Sequence, residues 1–454
     1  MVLKSIQSLC FAAISLAAAI GFSAEQPATS SPPRHKVVFV GMDGATWHVI
    51  GPLLEQGELP SFAKLVANGT SMPNFDTMST TESPLVWTSM ATGVEPSVHG
   101  ITDYVDILED GSRVPVTSNS RKVKAIWDLV GEHGMSVGVI NWWASWPAEE
   151  VNGYVISNHA NPLWVQGELA DSYYWTDDEA DAEGSRGNVF PPELTKRAKR
   201  YWIAKEDLSY EEMQQHGGFS DEQIAAARGT RWFIRWDWSV LKLDYAVDVS
   251  NLRLWLDLTK SQPADLEMLY FHSPDAIQHY CWDLVEPEKY HYTPKYFERD
   301  RTIVDNTYRY LDSFLKEILG AIDDNTILIL ASDHGSEAAP WATAEKPRRT
   351  DRPGYHSLAA KGVLFLLGPG VKKGHTLSDA DPLDIMPTLA WLLGIPVSKE
   401  LPGRPLTEAF TDEFVAARPI KTVPSYGARE TRAPETSAAD DAMIERLRAL
   451  GYIE

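Results

Sequence analysis

Residues 36–44 read Lys-Val-Val-Phe-Val-Gly-Met-Asp-Gly, an apolar run that ends in a glycine and an aspartate. Such a run is typical of a buried strand that is covered on both faces, as in a parallel sheet. Similar runs follow at 136–140, 153–157, 265–271, 325–331 and 362–367, with helical patterns between several of them. Strands that alternate with helices predict an α/β fold with a doubly wound, mostly parallel sheet.

Length and charge narrow the class of protein. The chain has 454 residues and a formal net charge of −22. This length suits one large α/β domain with insertions, or two to three ordinary domains. The acidic balance argues against a nucleic-acid surface or an anionic membrane surface as partner. A local cationic site, such as bound divalent metal ions, could still hold an anionic substrate.

The N-terminus is typical of an exported protein. Lys4 is the only charged residue before an apolar, small-residue segment that runs from 6 to 24. We predict a signal peptide over 1–24, a flexible lead-in over 25–35, and a periplasmic or secreted enzyme without a stable membrane span after cleavage. An uncleaved membrane anchor is the alternative. Apart from Cys10, Cys281 is the only cysteine, which excludes a disulfide in the mature chain and suggests a bacterial envelope.

The amino-acid pattern of the chain changes between about 161 and 261. Tryptophan and tyrosine alternate there with acidic residues, and helical spacing is evident from 221 to 256. We therefore predict a mainly helical cap inserted into a main domain that spans 36–410. The cap aromatics could stack on a base, sugar or lipid edge of a substrate, or could simply pack the cap onto the core. Residues 411–454 are predicted to be a polar tail that ends in a short helix.

The stretch 80–93, Thr-Thr-Glu-Ser-Pro-Leu-Val-Trp-Thr-Ser-Met-Ala-Thr-Gly, places a hydroxyl at the start of a helix. Pro84 suits the first helical position, which puts Ser83 at the N-cap. The amides and dipole of a helix N-terminus also favour an anion. On this pattern alone, Ser83 is either a plain cap or a nucleophile that faces a phosphate.

Acidic residues and histidines recur beside the predicted strands. They are Asp43, Asp275, His279, Asp333, His334 and His356. Ligands of doubly wound sheets sit beyond the carboxyl ends of the strands, so these side chains could converge there. Each also has an ordinary structural explanation, such as a helix cap, a core histidine, a turn or a surface loop. Together, three carboxylates, three imidazoles and a hydroxyl make a donor set that fits two zinc-like ions.

These motifs, taken in order, resemble the alkaline phosphatase superfamily, and within it the type I phosphodiesterase/nucleotide pyrophosphatase branch. The motifs are Gly41-Met42-Asp43-Gly44, Ser83-Pro84 with Trp87 to Gly93, His99-Gly100-Ile101, Asp275 with His279 and Trp282, Asp333-His334-Gly335, His356, and Asp384 to Leu389. The resemblance covers residues 37 to about 396 but not the predicted cap.

The resemblance implies a two-metal hydrolase of phosphodiester or pyrophosphate bonds, with a nucleotide or lipid head group as a possible substrate. It assigns Asp43, Asp333, His334 and the Ser83 hydroxyl to one divalent ion. It assigns Asp275, His279 and His356 to the other, and zinc is the expected metal. Ser83 would be the nucleophile and would form a covalent seryl-phospho intermediate.

Two departures from the family pattern leave alternatives open. Many relatives have Thr, one residue and then Pro, whereas Ser83 precedes Pro84 directly, so Thr81 is a rival nucleophile. An Asn that often follows the His-Gly-Ile motif is missing, so Asn141 or Tyr104 could contact the phosphate in its place, or neither does. A phosphomonoesterase, a head-group transferase of the cell envelope, a sulfatase and a catalytically silent binding protein are the other functions considered. The sulfatase pattern of a spaced Pro and an Arg is absent after Ser83.

Overall fold

The structure is a computed structural model. It describes residues 34–160, 187–203, 208–228, 238–293, 297–344, 352–437, 440–450 and 453. The predicted signal peptide, most of the predicted lead-in and residues 161–186 of the predicted cap lie outside this described part.

One large sheet organises the described part of the chain. The strands are β1 (Lys36–Met42), β2 (Thr70–Phe75), β3 (Val105–Ile107), β4 (Arg113–Pro115), β5 (Val137–Ile140), β6 (Gly153–Ile156), β7 (Val189–Phe190), β8 (Leu266–Phe271), β9 (Thr326–Ala331), β10 (Glu337–Ala338), β11 (Gly354–Tyr355), β12 (Gly362–Leu367), β13 (His375–Thr376), β14 (Val397–Ser398) and β15 (Thr422–Val423). Within the described residues, nine of them form the sheet, in the order β13-β2-β12-β9-β1-β8-β5-β6-β7.

The centre of the sheet is parallel, as predicted. Strand β1 pairs in parallel with β8 on one side and β9 on the other, and β8 continues in parallel to β5. Strand β12 runs antiparallel to both β9 and β2. Because β1, β8 and β9 point the same way, the loops that follow them meet at one edge of the sheet.

Helices fall into two packed groups. They are α1 (Trp47–Glu55), α2 (Pro60–Asn68), α3 (Ser83–Thr92), α4 (Pro96–His99), α5 (Ile126–Glu132), α6 (Thr195–Lys199), α7 (Tyr210–Gly217), α8 (Asp221–Arg228), α9 (Trp238–Ser261), α10 (Ser273–Val285), α11 (Phe297–Asp300), α12 (Ile303–Ala321), α13 (Pro340–Thr343), α14 (Ile385–Leu393), α15 (Asp412–Ala417) and α16 (Asp440–Leu450). Helix α14 packs against α3, α5 and β1, whereas α12 packs against α1, α2, α9 and α10. None of the described helices is both long and apolar enough to cross a bilayer.

The described part of the predicted cap is joined closely to the sheet. Helix α9 packs against β8 and α10. The region also contributes one short strand to the sheet, because Val189 and Phe190 pair antiparallel with Ile156 and Val155. A two-residue strand is too short to produce a recognisable alternation of apolar and polar residues.

The tail returns to the body of the molecule. Strand β15 pairs with β14, and the Arg429 guanidinium reaches the Glu149 carboxylate at 2.6 Å. Glu149 also binds Arg121, whose side chain is almost fully buried. A buried carboxylate between two arginines therefore ties the tail to the catalytic body.

Candidate metal centre

The predicted acidic residues and histidines meet at the carboxyl edge of the sheet. Asp43 follows β1, Asp275 lies in the first turn of α10 after β8, and Asp333 follows β9. All three carboxylates are fully buried, and so is His334. His279 and His356 are each 8% exposed and complete the cluster.

The inward-facing atoms have the spacing of metal ligands. His334 Nε2 lies 3.4 Å from Asp43 Oδ1 and 3.5 Å from Asp333 Oδ2. His279 Nε2 lies 3.3 Å from Asp275 Oδ1. Two donor atoms that each lie about 2.1 Å from a tetrahedral ion are about 3.4 Å apart. The donor chemistry and the spacing therefore both fit zinc-like ions.

Two groups of ligand atoms can be distinguished in the cluster. One comprises Asp275, His279 and His356, and the other comprises Asp43, Asp275 and His334, with the ligand atoms of each group within 4.8 Å of one another. The family pattern assigns Asp275 to a single site, whereas here its carboxylate lies within reach of both groups. The His334 and His356 rings stack at 3.9 Å between centroids, so the two groups are adjacent.

Each histidine is oriented by a hydrogen bond on its outer nitrogen. His334 Nδ1 lies 2.9 Å from the Gly335 carbonyl oxygen, and His279 Nδ1 lies 3.3 Å from the Gly354 carbonyl oxygen. His356 Nδ1 lies 2.9 Å from Thr81 Oγ1. When Nδ1 donates a proton outward, the lone pair of Nε2 is directed inward, as in metal-binding histidines.

The group that includes Asp43 and His334, with the neighbouring Asp333, contains buried polar atoms that a cation would satisfy. Asp333 Oδ1 accepts from the Gly44 amide at 3.3 Å and from the His334 amide at 3.1 Å. Within the described residues, Asp333 Oδ2, Asp43 Oδ1 and His334 Nε2 make no hydrogen bond. Burying such an atom without a partner costs about 1–3 kcal/mol. Three of them turned toward one point are consistent with a metal site.

The charges of the cluster lead to the same conclusion. Burial raises the pKa of Asp43, and the nearby Asp275 carboxylate raises it further. Burial and the Asp43 carboxylate likewise raise the pKa of Asp333. Burial opposes ionisation of Asp275 as well, but the surrounding imidazoles hold its pKa below the usual value. A bound cation would relieve the mutual repulsion of these carboxylates.

Ser83 lies beside this cluster at the start of α3. The helix begins at Ser83, so Glu82 is the N-cap, and its side chain makes no capping bond. The prediction that Ser83 is the cap is therefore wrong by one residue, a boundary difference that sequence patterns do not resolve. The Ser83 side chain is 2% exposed, and its hydroxyl lies beside the Tyr104 phenol. Burial raises the pKa of Tyr104, and the carboxylates of Asp275 and Asp43 are near enough to raise it further.

The predicted substrate contacts occupy buried positions. Tyr104 is 3% exposed and Asn141 is 5% exposed. Asn141 has a positive φ of 60°, and its side-chain amide donates to the Tyr270 carbonyl oxygen at 3.4 Å. Tyr104 thus lies next to the candidate nucleophile, whereas Asn141 supports the end of β8.

His99, part of the His-Gly-Ile motif, has a structural environment. Its Nδ1 accepts from the Ile101 amide at 3.2 Å, and its Nε2 lies 3.0 Å from Ser89 Oγ in α3. Burial lowers the pKa of His99 to about 3, so the imidazole is neutral. The motif therefore fixes α3 against the loop that follows it.

Several residues that support the cluster were missed in the sequence. Gln278 donates to the Gly44 carbonyl oxygen at 2.8 Å, and the Tyr308 hydroxyl donates to Gln278 Oε1 at 3.0 Å. Trp87 and Tyr270 both donate to Asp43 Oδ2. The spacing of Ser83 and Trp87 by one helical turn was a usable signal for Trp87, but the others have no local pattern.

The comparison with protein families agrees with this geometry. A model described as type I phosphodiesterase / nucleotide pyrophosphatase matches residues 37–352. The chain belongs to the type I phosphodiesterase/nucleotide pyrophosphatase family. It is therefore a member of the alkaline phosphatase superfamily, in which this family points to a phosphoric ester hydrolase, and the predicted recognition is confirmed.

Individual relatives of this family member are distant. Human arylsulfatase K is 30% identical over 118 residues, which is 25% of this chain and 21% of that protein. GPI ethanolamine phosphate transferase 3 of Eremothecium gossypii is 25% identical over 111 residues, 23% of this chain and 11% of that protein. This chain thus matches about a fifth of the length of arylsulfatase K and about a tenth of the length of the transferase. The crystal structure of alkaline phosphatase PafA is similar with a TM-score of 0.51 and 14% identity, over 84% of this chain and 100% of that one, which supports the fold.

Proposed function

We propose that this protein hydrolyses phosphodiester or pyrophosphate bonds of small, nucleotide-type substrates with two divalent ions, for which zinc is the expected metal. The proposal rests above all on one observation. Buried Asp and His ligand atoms lie 3.3–3.5 Å apart beside a serine at a helix start. Family membership sets the reaction class, and this arrangement supplies the residues for it.

The six ligands divide into two sets in this proposal. Asp43, Asp333 and His334 hold one ion, together with the Ser83 hydroxyl. Asp275, His279 and His356 hold the other, with the Asp275 carboxylate close to both. When bound, the ions neutralise charge on the phosphate oxygens, activate the attacking hydroxyl and stabilise the leaving oxygen.

Ser83 carries out the displacement. Its Oγ forms a bond to phosphorus while the bond from phosphorus to the leaving oxygen breaks. The hydroxyl proton passes to solvent, and the leaving oxygen takes one proton from solvent. Water then attacks the seryl-phospho intermediate, which restores the Ser83 hydroxyl, so that the net reaction consumes one water. Tyr104 lies beside the Ser83 hydroxyl and is the nearer candidate for a phosphate contact, whereas the Asn141 side chain is bonded to the Tyr270 carbonyl oxygen.

The surroundings of the two candidate hydroxyls favour Ser83 over Thr81. Thr81 Oγ1 accepts from His356 Nδ1, on the outer side of that imidazole. Ser83 instead lies beside Tyr104, which is close enough to Asp43 and Asp275 to respond to their charges. We therefore assign Thr81 to positioning and Ser83 to attack.

The proposed cell compartment and class of partner rest on the sequence. An N-terminal signal over 1–24 would export the enzyme to the periplasm or the medium, where a small phosphoester is its partner. The net charge of −22 gives no support for a nucleic-acid surface.

Relative rates on four substrates test the proposal. We expect bis-p-nitrophenyl phosphate and a dinucleoside pyrophosphate to be turned over faster than p-nitrophenyl phosphate, and p-nitrophenyl sulfate slowest. Chelation should abolish turnover, and added zinc should restore it. Undiminished turnover after exhaustive chelation would contradict the two-metal mechanism. A preference for the monoester or the sulfate would reassign the enzyme to those classes, and phosphoryl transfer to an added alcohol would indicate a transferase. Failure to turn over any of them would indicate a binding protein.

A further inference from the structure

We propose that Trp87, Tyr270 and Trp143 form a cradle that holds the outer oxygen of Asp43, so that Asp43 binds its ion through Oδ1 alone. This inference rests on the two-metal site of the proposed function. It assigns positioning roles to three aromatic residues that are not ligands themselves.

The hydrogen bonds divide the Asp43 carboxylate into two sides. Oδ2 accepts from Trp87 Nε1 at 3.2 Å and from the Tyr270 hydroxyl. Trp143 Nε1 donates to the Tyr270 oxygen at 2.8 Å, which directs the Tyr270 proton toward Asp43. Oδ1 makes no hydrogen bond in the described part of the chain and faces His334 Nε2 at 3.4 Å. With two donors on Oδ2, only Oδ1 is available to a metal ion.

Ring packing holds the donors in these orientations. The Trp87 ring meets the Tyr270 ring edge to face, with centroids 5.2 Å apart and planes at 81°. Trp142 meets Trp87 on another side, at 5.1 Å and 86°. Such contacts between buried rings restrict rotation, because each ring fills the space that another would need to turn.

Strand β1 leaves room for the Trp87 ring. A Cβ atom on Gly41 would lie 2.7 Å from Trp87 Cζ3 and 2.8 Å from Cη2. Any larger residue at 41 would therefore push the indole away from Asp43, which is two residues further along the chain. The glycine of the first motif thus has a packing role in the cradle.

The cradle also connects the nucleophile to the metal centre. Trp87 lies one helical turn after Ser83 in α3, so the two side chains are on the same side of the helix. The bond from Trp87 to Asp43 consequently sets the distance between the start of α3 and the ligand that follows β1. Loss of a residue that orients a metal ligand typically weakens metal binding about 10–100-fold.

Metal affinity tests the cradle independently of turnover. The test compares the zinc dissociation constants of the wild type with those of Tyr270→Phe, Trp87→Phe and Trp143→Phe. Each constant is measured by competition with a chromophoric chelator. Tyr245→Phe is the matched control, because that buried hydroxyl bonds Thr307 and not Asp43. We expect Tyr270→Phe and Trp87→Phe to weaken one of the two ions about 10–100-fold and to leave the other unchanged. Trp143→Phe should act in the same direction with a smaller effect.

Cobalt substitution reports the coordination directly. Tyr270→Phe removes one of the two donors to Oδ2 and leaves Trp87, so Asp43 is freer to bind through both oxygens and the visible absorption of the cobalt-loaded variant should weaken as coordination number rises. Tyr270→Phe removes a single oxygen, and its unfolding temperature identifies any loss of fold. Affinities and spectra equal to those of Tyr245→Phe would overturn the cradle. If the cradle fails in this way but the wild type binds two ions, the proposed function still stands. If the protein binds its ions but turns over no phosphoester, the proposed function is refuted and the cradle is not.

Discussion

The assignment of Ser83 and Thr81 can be tested by a pair of substitutions with opposite expected behaviour. Ser83→Ala removes the attacking oxygen but leaves all six Asp and His ligands in place. Thr81→Val removes the acceptor for His356 Nδ1 while keeping the shape of the side chain. The two variants therefore separate a chemical role from a positioning role.

The expected magnitudes differ accordingly. The Ser83 hydroxyl is a single buried polar group, so Ser83→Ala should cost about 1 kcal/mol of unfolding free energy. Its turnover should fall by several orders of magnitude, because no other group replaces the nucleophile. Thr81→Val leaves a donor of His356 without its partner, which costs about 1–3 kcal/mol. It should weaken the ion at Asp275, His279 and His356 about 10–100-fold.

A zinc titration of turnover distinguishes the two cases. Raising free zinc should restore most of the activity of Thr81→Val, since only occupancy is impaired, but should leave Ser83→Ala inactive. Trapping of a phosphorylated peptide by acid quench and mass spectrometry should locate the modification at Ser83 in the wild type. If Thr81→Val stays inactive at saturating zinc while Ser83→Ala turns over normally, the nucleophile is Thr81 and the reasoning is refuted.

Three further predictions concern metal content, acid stability and processing. His356→Ala should reduce bound zinc, measured by elemental analysis, from about two ions per chain to about one, and a retained pair would contradict its role as ligand. Although burial opposes it, Arg121 and Arg429 lower the pKa of Glu149 to about 2, from 4.5. The depressed pKa stabilises the fold above pH 4.5, and this contribution is lost as the pH falls toward 2. Glu149→Gln should therefore remove about 3 kcal/mol from the part of the unfolding free energy that is lost in acid. The measurement is the unfolding free energy as a function of pH. The prediction would be contradicted if the unfolding free energy of the variant fell with decreasing pH as steeply as that of the wild type. The exported protein should lack residues 1 to about 24, as measured by its intact mass. A mass that includes these residues would indicate a membrane anchor.

Much of the sheet and the ligand list could be predicted from the sequence. Strand β12 has the predicted bounds, and β8 and β9 begin within one residue of them. Buried parallel strands carry long apolar runs, and ligands follow the ends of such strands. Strands and candidate ligands therefore both have a recognisable local sequence pattern. Strand β2 was missed because its sequence, Thr-Ser-Met-Pro-Asn-Phe, has no such run.

Only the tertiary structure decides how the ligands are oriented. Thr81 meets His356 across 275 positions of the chain, and Tyr270 meets Asp43 across 227. Asp275 lies near both ligand groups because α10 begins where the loops after β1 and β9 converge. A hydrogen bond between distant segments leaves no periodic pattern in either one. The candidate ligands can therefore be recognised from the sequence, whereas the residues that orient them depend on how the strands and helices pack.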